Sequence, residues 1–254
     1  MNILVLIKQT FDTEEKIVIH NGAINEDGVE FILNPYDEFA VEEAIKIKED
    51  SGAEVTVLTV GQDRSESVLR TALAMGADKA IMVESAEAAD EYSIAKIITA
   101  AIKGQEYDLI LGGNMAVDSG SGQVAIRVAE ELGIPHVSTI TKFSLEGTKA
   151  IVERDAEGDV EVIEVNLPFL ATAQQGLNEP RYPSLPGIMK AKKKPLARFT
   201  AEDLELSEDD LAGRTSVQDQ FLPPKKQAGK ILEGEIGQQV QELVALLRSE
   251  AKVV

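Results

Sequence analysis

The chain reads as a three-layer, Rossmann-like α/β protein: a parallel sheet with helices on both faces, extended by a β-hairpin and a C-terminal arm. Three observations carry that reading. Short apolar runs alternate with helical patterns over the first 140 residues, as in a parallel sheet built from right-handed crossovers. The punctuation of those helices falls where the runs end. Beyond residue 145 the pattern changes to paired strands, a proline-rich loop and an isolated amphipathic helix.

In chain order, the runs Ile3–Ile7, Val55–Val60, Ala80–Val83, Leu109–Leu111 and Val137–Ile140 are the expected strands. Helices are expected over Tyr36–Glu49, Glu66–Met75, Tyr92–Lys103 and Gln123–Leu132. Asn34 suits a helix cap, Pro35 the first helical position, and Asp37 and Glu38 the positive helix end. Gly76 and Gly133 follow their helices as C-terminal stops. Lys149–Arg154 and Val160–Val165 flank the acidic turn 155–159 as a hairpin, and Phe169–Ala173 is a further strand. The segment from Asn178 to Pro195 holds four prolines and the basic run 190–194, which predicts an exposed but structured loop. Residues 201–230 are polar and acidic. Ile236, Val240, Leu243 and Leu247 then form one stripe of a last helix, suited to folding back or to docking on a partner.

Composition narrows the chemistry. With 44 acidic against 25 basic residues the net charge is -19, so a phosphate backbone would be repelled and nucleic acid is not the expected partner. A small phosphate ester stays compatible, because backbone N–H groups bind it whatever the net charge. The chain has no cysteine, hence no disulfide and no thiolate metal site. Its two histidines, His20 and His136, are far apart and read as surface or satisfied residues, so no metal site is expected. No apolar run approaches the roughly 20 residues of a membrane span. The start, running straight into Asn2–Ile7, lacks the form of a signal peptide, and the expected location is the cytoplasm.

The most informative segment runs from Leu109 to Gln123. A strand ends at Gly112, a small-residue loop follows, and a helix starts near Gln123. Gly120 and Gly122 allow close backbone approach to a phosphate, Ser119 and Ser121 add hydroxyl donors, and the helix start adds partial positive charge. The plainer reading is a flexible strand–helix connection. The loop is neither a Walker A motif nor a GxGxxG fingerprint, so nucleotide hydrolysis has no support. Ligands of open parallel sheets bind beyond the carboxyl ends of the strands, where the backbone at Leu6 and Val60 can read an adenine edge or simply pack in the core. No catalytic residue is expected: there is no nucleophile elbow, no Ser/His/Asp arrangement and no distinctive carboxylate pair.

Several long segments resemble the beta (small) subunit of electron-transfer flavoproteins: Asn34-Pro35-Tyr36-Asp37-Glu38-Phe39-Ala40-Val41-Glu42-Glu43-Ala44, residues 70–78, the Gly113–Val124 loop, the hairpin from Val152 to Pro168, and Asn178–Lys194. The resemblance covers nearly the whole chain. It implies a heterodimer with an alpha subunit whose FAD takes electrons from dehydrogenases, such as acyl-CoA dehydrogenase, and passes them on. It also implies that this subunit binds AMP, or a second FAD in electron-bifurcating members that use NADH. The positions carried over are Leu6, Asn34, Pro35, Tyr36, Asp37, Val60, Gly113, Asn114, Met115, Ala116, Val117, Asp118, Ser119, Gly120, Ser121, Gly122, Gln123 and Val124. The segment Lys8-Gln9-Thr10-Phe11-Asp12-Thr13 is similar to that of bifurcating members; AMP and a second FAD both stay open. The loop Arg181–Pro195 corresponds to the segment that docks on dehydrogenases, with Leu185 as apolar anchor among Arg181, Tyr182, Pro186, Ile188 and Met189. The division implied is a nucleotide-binding domain over 1–195 and an arm over 196–254 that docks on the alpha subunit. The competing class is a homodimeric adenine-nucleotide sensor of the universal-stress type, which needs neither the 181–194 loop nor the last helix.

Overall fold

Alternation along strand β1 (Asn2–Leu6) sends Ile3 and Val5 into one apolar layer and Leu4 and Leu6 into the other, so the strand is buried on both faces. The same holds for β4 (Leu109–Gly113), where Leu109 and Leu111 face one layer and Ile110 the other. Such strands belong at the centre of a sheet covered by helices. The computed structural model describes residues 1–84, 90–226 and 228–253. Its main sheet has nine strands. The others are β2 (Glu54–Gly61), β3 (Lys79–Glu84), β5 (His136–Glu146), β6 (Lys149–Ala156), β7 (Asp159–Asn166), β8 (Phe169–Ala173) and β9 (Leu196–Thr200). Their spatial order is β7-β6-β5-β8-β4-β1-β2-β3-β9.

All neighbours pair in parallel except β5–β6 and β6–β7, which form the antiparallel hairpin extension. The chain winds outward from β1 through β2 to β3, then returns to the opposite side of β1 with β4. The order therefore reverses between β1 and β4. The carboxyl ends of those two strands flank the crevice in which open α/β sheets bind ligands.

Helices α1 (Pro35–Ser51) and α2 (Glu66–Met75) cover the face bearing Ile3 and Val5. Helices α3 (Glu91–Ala101) and α4 (Val124–Leu132) cover the face bearing Leu4 and Leu6. The glycine stops hold: Gly133 adopts φ 66°, and the Gly76 N–H closes on Ala72. Asn34 is a correction. It stands at the cap position of α1, but its side chain makes no capping bond; its amide is used across the molecule instead.

The 178–195 segment is more ordered than a loop. Ser184 caps a short helix α5 (Leu185–Ala191), its hydroxyl accepting from the Gly187 N–H at 3.1 Å. A Cβ on Gly187 would lie 2.4 Å from the Ala74 carbonyl oxygen, so glycine is what lets α5 rest on the end of α2. Lys194, the last residue of the basic run, donates to the carbonyls of Leu73 and Ala77 at 2.9 and 2.5 Å and so satisfies the end of α2. Strand β9 follows at once and pairs with β3, an element not anticipated from sequence. A four-residue helix α6 (Glu208–Leu211) packs on α3.

The chain divides into two compact units, 1–17 with 25–218, and 18–24 with 219–254. In the second, Ile19–His20 pairs with Ala23–Ile24, and the Gln220 side chain accepts from the Ile24 N–H at 2.9 Å. Its helix α7 (Ile236–Leu246) carries Ile236, Val240 and Leu243 exposed; Leu247, the fourth residue of the expected stripe, falls just past α7 and is half-buried. Gln227 and Val254 of the expected arm lie outside the described residues. No helix among the described residues is long and apolar enough to cross a membrane, and none of them cluster as a metal site.

Candidate functional site

The site begins with a buried carboxyl. Asp37, in the first turn of α1, turns away from its own helix and accepts from the backbone N–H of Lys8 at 2.7 Å and of Gly113 at 3.0 Å. Those amides follow β1 and end β4, so one side chain braces both strand ends at the point where the strand order reverses. Gly113 admits this because a Cβ there would stand 2.3 Å from Asp37 Oδ1. Burial pushes the Asp37 carboxyl up to about 7, against the Asn34 amide, the two backbone N–H groups and the Lys8 charge, which all favour ionisation.

Asn34 performs a parallel task. Its Nδ2 donates to the Met115 carbonyl at 2.9 Å and its Oδ1 accepts from the Val117 N–H at 3.1 Å. One buried amide thus holds the first part of the loop after β4 through both its donor and its acceptor. That loop turns through Gly120 and Gly122, both in the left-handed region at φ 65° and 60°, and delivers the chain to α4. The cap residue of α4, Gln123, makes no side-chain capping bond, so the helix start offers backbone donors and positive charge to the crevice.

The crevice is a cavity of about 260 Å³. Leu6, Leu58, Val60, Ile94 and Ile98 supply apolar wall; Asn114, Ser119 and Ser121 supply polar wall. Lys8 is the one cation among the described lining residues, and its Nζ rests 2.8 Å from the Asp118 carboxylate. An apolar slot ending in hydroxyls, glycine backbone and a helix start fits a flat ring at one end and a phosphate at the other.

The structure brings together most of the expected residues. Leu6, Asn34, Asp37, Val60, Gly113, Asn114, Met115, Ala116, Ser119, Ser121, Gly122, Gln123 and Val124 all line the cavity. Pro35 and Tyr36 form the first turn of α1 outside the lining, and Val117, Asp118 and Gly120 of the loop are not part of the lining either. Lys8 also lines the cavity, at the end of the first strand, which the sequence places at the crevice without naming Lys8 as a binding residue. Leu58 and the α3 wall of Asp90, Glu91, Ile94 and Ile98 are additions: α3 is expected as a helix but not as a cavity wall. Of the two alternatives open for His20 and His136, surface or satisfied, the structure has both exposed.

The second expected site is an exposed apolar face around α5. Tyr182 and Leu185 are 95% and 78% exposed, with Ile188, Met189 and Pro186 also exposed. Arg181 differs from these five. Its guanidinium is held on α1 by Glu42 at 2.9 Å and Glu49 at 2.5 Å, and its own N–H also donates to Glu42. Asn178 joins the same anchorage through the Phe39 carbonyl and Glu43.

A doubly wound sheet with a part-polar, part-apolar cavity at its switch point defines the class: an open α/β protein of the ligand-binding Rossmann-like kind. Residues 21–204 match the family model of the electron transfer flavoprotein domain. The chain is 58% identical to an electron transfer flavoprotein subunit beta of Bacillus subtilis, covering 100% of both chains. It is 44% identical to a protein of the same description from Syntrophomonas wolfei, over 100% of this chain and 98% of that one. It is also 39% identical to the caffeyl-CoA reductase-Etf complex subunit CarD of Acetobacterium woodii, over 99% and 98%. The chain belongs to the electron transfer flavoprotein family, and these full-length relatives favour its small subunit over the universal-stress alternative.

Proposed function

We propose that this chain works as the small subunit of a heterodimeric electron transfer flavoprotein, holding AMP or a second FAD in the cavity between β1 and β4. The carrying observation is the cavity itself, built where the strand order reverses and closed by the Asn34-stapled loop and the start of α4. Leu6 and Val60 would hold the adenine, and the loop from Ser119 to Val124 would hold the phosphate. In the complex, FAD supplies the redox chemistry, and this chain's residues bind, orient and shield. The name of the relative CarD links that protein to a caffeyl-CoA reductase–Etf complex; a dehydrogenase or CoA-ester reductase is the corresponding donor or acceptor here.

The α5 face is the dehydrogenase contact, with Leu185 as anchor and Arg181 holding the loop against α1. The arm expected over 196–254 presents the α7 stripe to the alpha subunit. Chromatography of nucleotide released by denaturing the purified protein tests the cavity. AMP or FAD at about one equivalent beyond the flavin of the alpha subunit supports the reading; neither compound present overturns it.

A further inference from the structure

Asp90 stands on the cavity wall and makes more bonds than a helix cap needs. One carboxylate oxygen, Oδ1, accepts from the N–H groups of Tyr92 and Ser93, both at 3.0 Å, and the Ser93 hydroxyl accepts from the Asp90 N–H to complete a capping box. The other, Oδ2, accepts from the Arg214 N–H at 2.6 Å, the Thr215 N–H at 2.8 Å and the Thr215 hydroxyl at 3.1 Å. A single side chain therefore closes the start of α3 and clamps a segment 124 residues away. The Arg214 guanidinium lies over the Tyr92 ring, 4.9 Å from its centre, and pairs with Asp209 at 2.9 Å. Four residues past Thr215, at Asp219, the chain enters its second unit.

We infer that Asp90 is a positioning residue that couples the nucleotide cavity to the Arg214–Thr215 segment, so that nucleotide binding and order at that segment reinforce each other. The inference rests on the nucleotide reading of the cavity. The wall that α3 contributes, Asp90, Glu91, Ile94 and Ile98, is fixed at its leading end by the same carboxylate that fixes Arg214 and Thr215. A ligand that orders this wall favours the clamp, and the clamp favours the ligand by the same factor, because coupling between two equilibria is reciprocal.

Asp90→Asn separates the two halves of the bond set. Asn is as good an N-cap as Asp, so its oxygen keeps Tyr92 and Ser93, while its NH₂ meets the three donors of Arg214 and Thr215 and releases them. Trypsin reads the release directly, since Arg214–Thr215 is itself a cleavable bond on an exposed residue. In the full-length chain as purified, cleavage there is expected to slow when AMP or FAD is added. In D90N it is expected to be at least about tenfold faster and indifferent to nucleotide, and the nucleotide retained through gel filtration should fall by a similar factor. Thr215→Val, which leaves α3 untouched and removes only the hydroxyl bond, should shift both readings the same way by about threefold. Faster cleavage with unchanged nucleotide retention overturns the coupling; unchanged cleavage overturns the clamp. A wild-type protein that neither carries nor binds AMP or FAD overturns the nucleotide reading and the coupling with it, while the D90N cleavage rate still judges the clamp by itself.

Discussion

Burial raises the Asp37 carboxyl from its ordinary 3.8 to about 7 although it accepts two backbone hydrogen bonds. The folded protein therefore holds this proton more tightly than the unfolded chain does. The contribution of Asp37 to stability is full below about pH 4 and is lost as pH rises through about 7. Denaturant unfolding at a series of pH values should show that decline in the wild type and lose it in Asp37→Asn. Below about pH 4 the variant should be the less stable, because its amide can accept from only one of the two N–H groups while its NH₂ faces the other, and the gap should narrow as pH rises through about 7. A wild-type slope unchanged by the substitution would remove Asp37 as its source. Asn34 and Asp37 also mark a limit of reading by position. Their places at the cap and in the first turn of a helix suggest capping and dipole roles, yet both side chains reach residues about 80 positions away. Local sequence holds no trace of partners that only the sheet brings near.

Elements were more legible than contacts. The Phe169–Ala173 strand and the Glu66–Met75 helix coincide with their expected bounds, because a buried strand and an amphipathic helix are local patterns with sharp ends. Strand β9 escaped notice: Leu196–Thr200 is short, carries Arg198, and lies on a sheet edge where only one side is paired. Two elements carry predictions. Gly122 turns the loop after β4 at φ 60°, and a Cβ there would stand 3.3 Å from the Asn114 carbonyl oxygen. Gly122→Val, placing a β-branched residue in the left-handed region, should abolish nucleotide retention measured by release chromatography while leaving far-UV dichroism unchanged. On α5, Leu185 is exposed, and burying one leucine in a partner pocket contributes about 1.5–3 kcal/mol. Leu185→Ala should weaken dehydrogenase coupling about tenfold or more at unchanged flavin content. Full coupling in the mutant, or loss of dithionite-reducible flavin, would contradict its role as anchor.

At the scale of the whole molecule, composition spoke more about what the protein avoids than what it joins. The net charge of -19 argued against nucleic acid, and the resemblance supplied the partner that an exposed stripe alone leaves unnamed. Removing residues 231–254 should reduce co-elution with the alpha subunit in gel filtration more than it changes the melting of the main unit, whose core lies within 1–17 and 25–218. Whether this chain completes an electron-carrying flavoprotein is read most directly from an absorbance spectrum. Co-expressed with the alpha subunit and purified as a complex, it should show bound flavin that is bleached by a cognate dehydrogenase with its substrate. Adenine nucleotide should be released in excess of that in the alpha subunit alone. A stable complex whose flavin no dehydrogenase reduces, or a chain that forms homodimers and ignores the alpha subunit, would contradict the account.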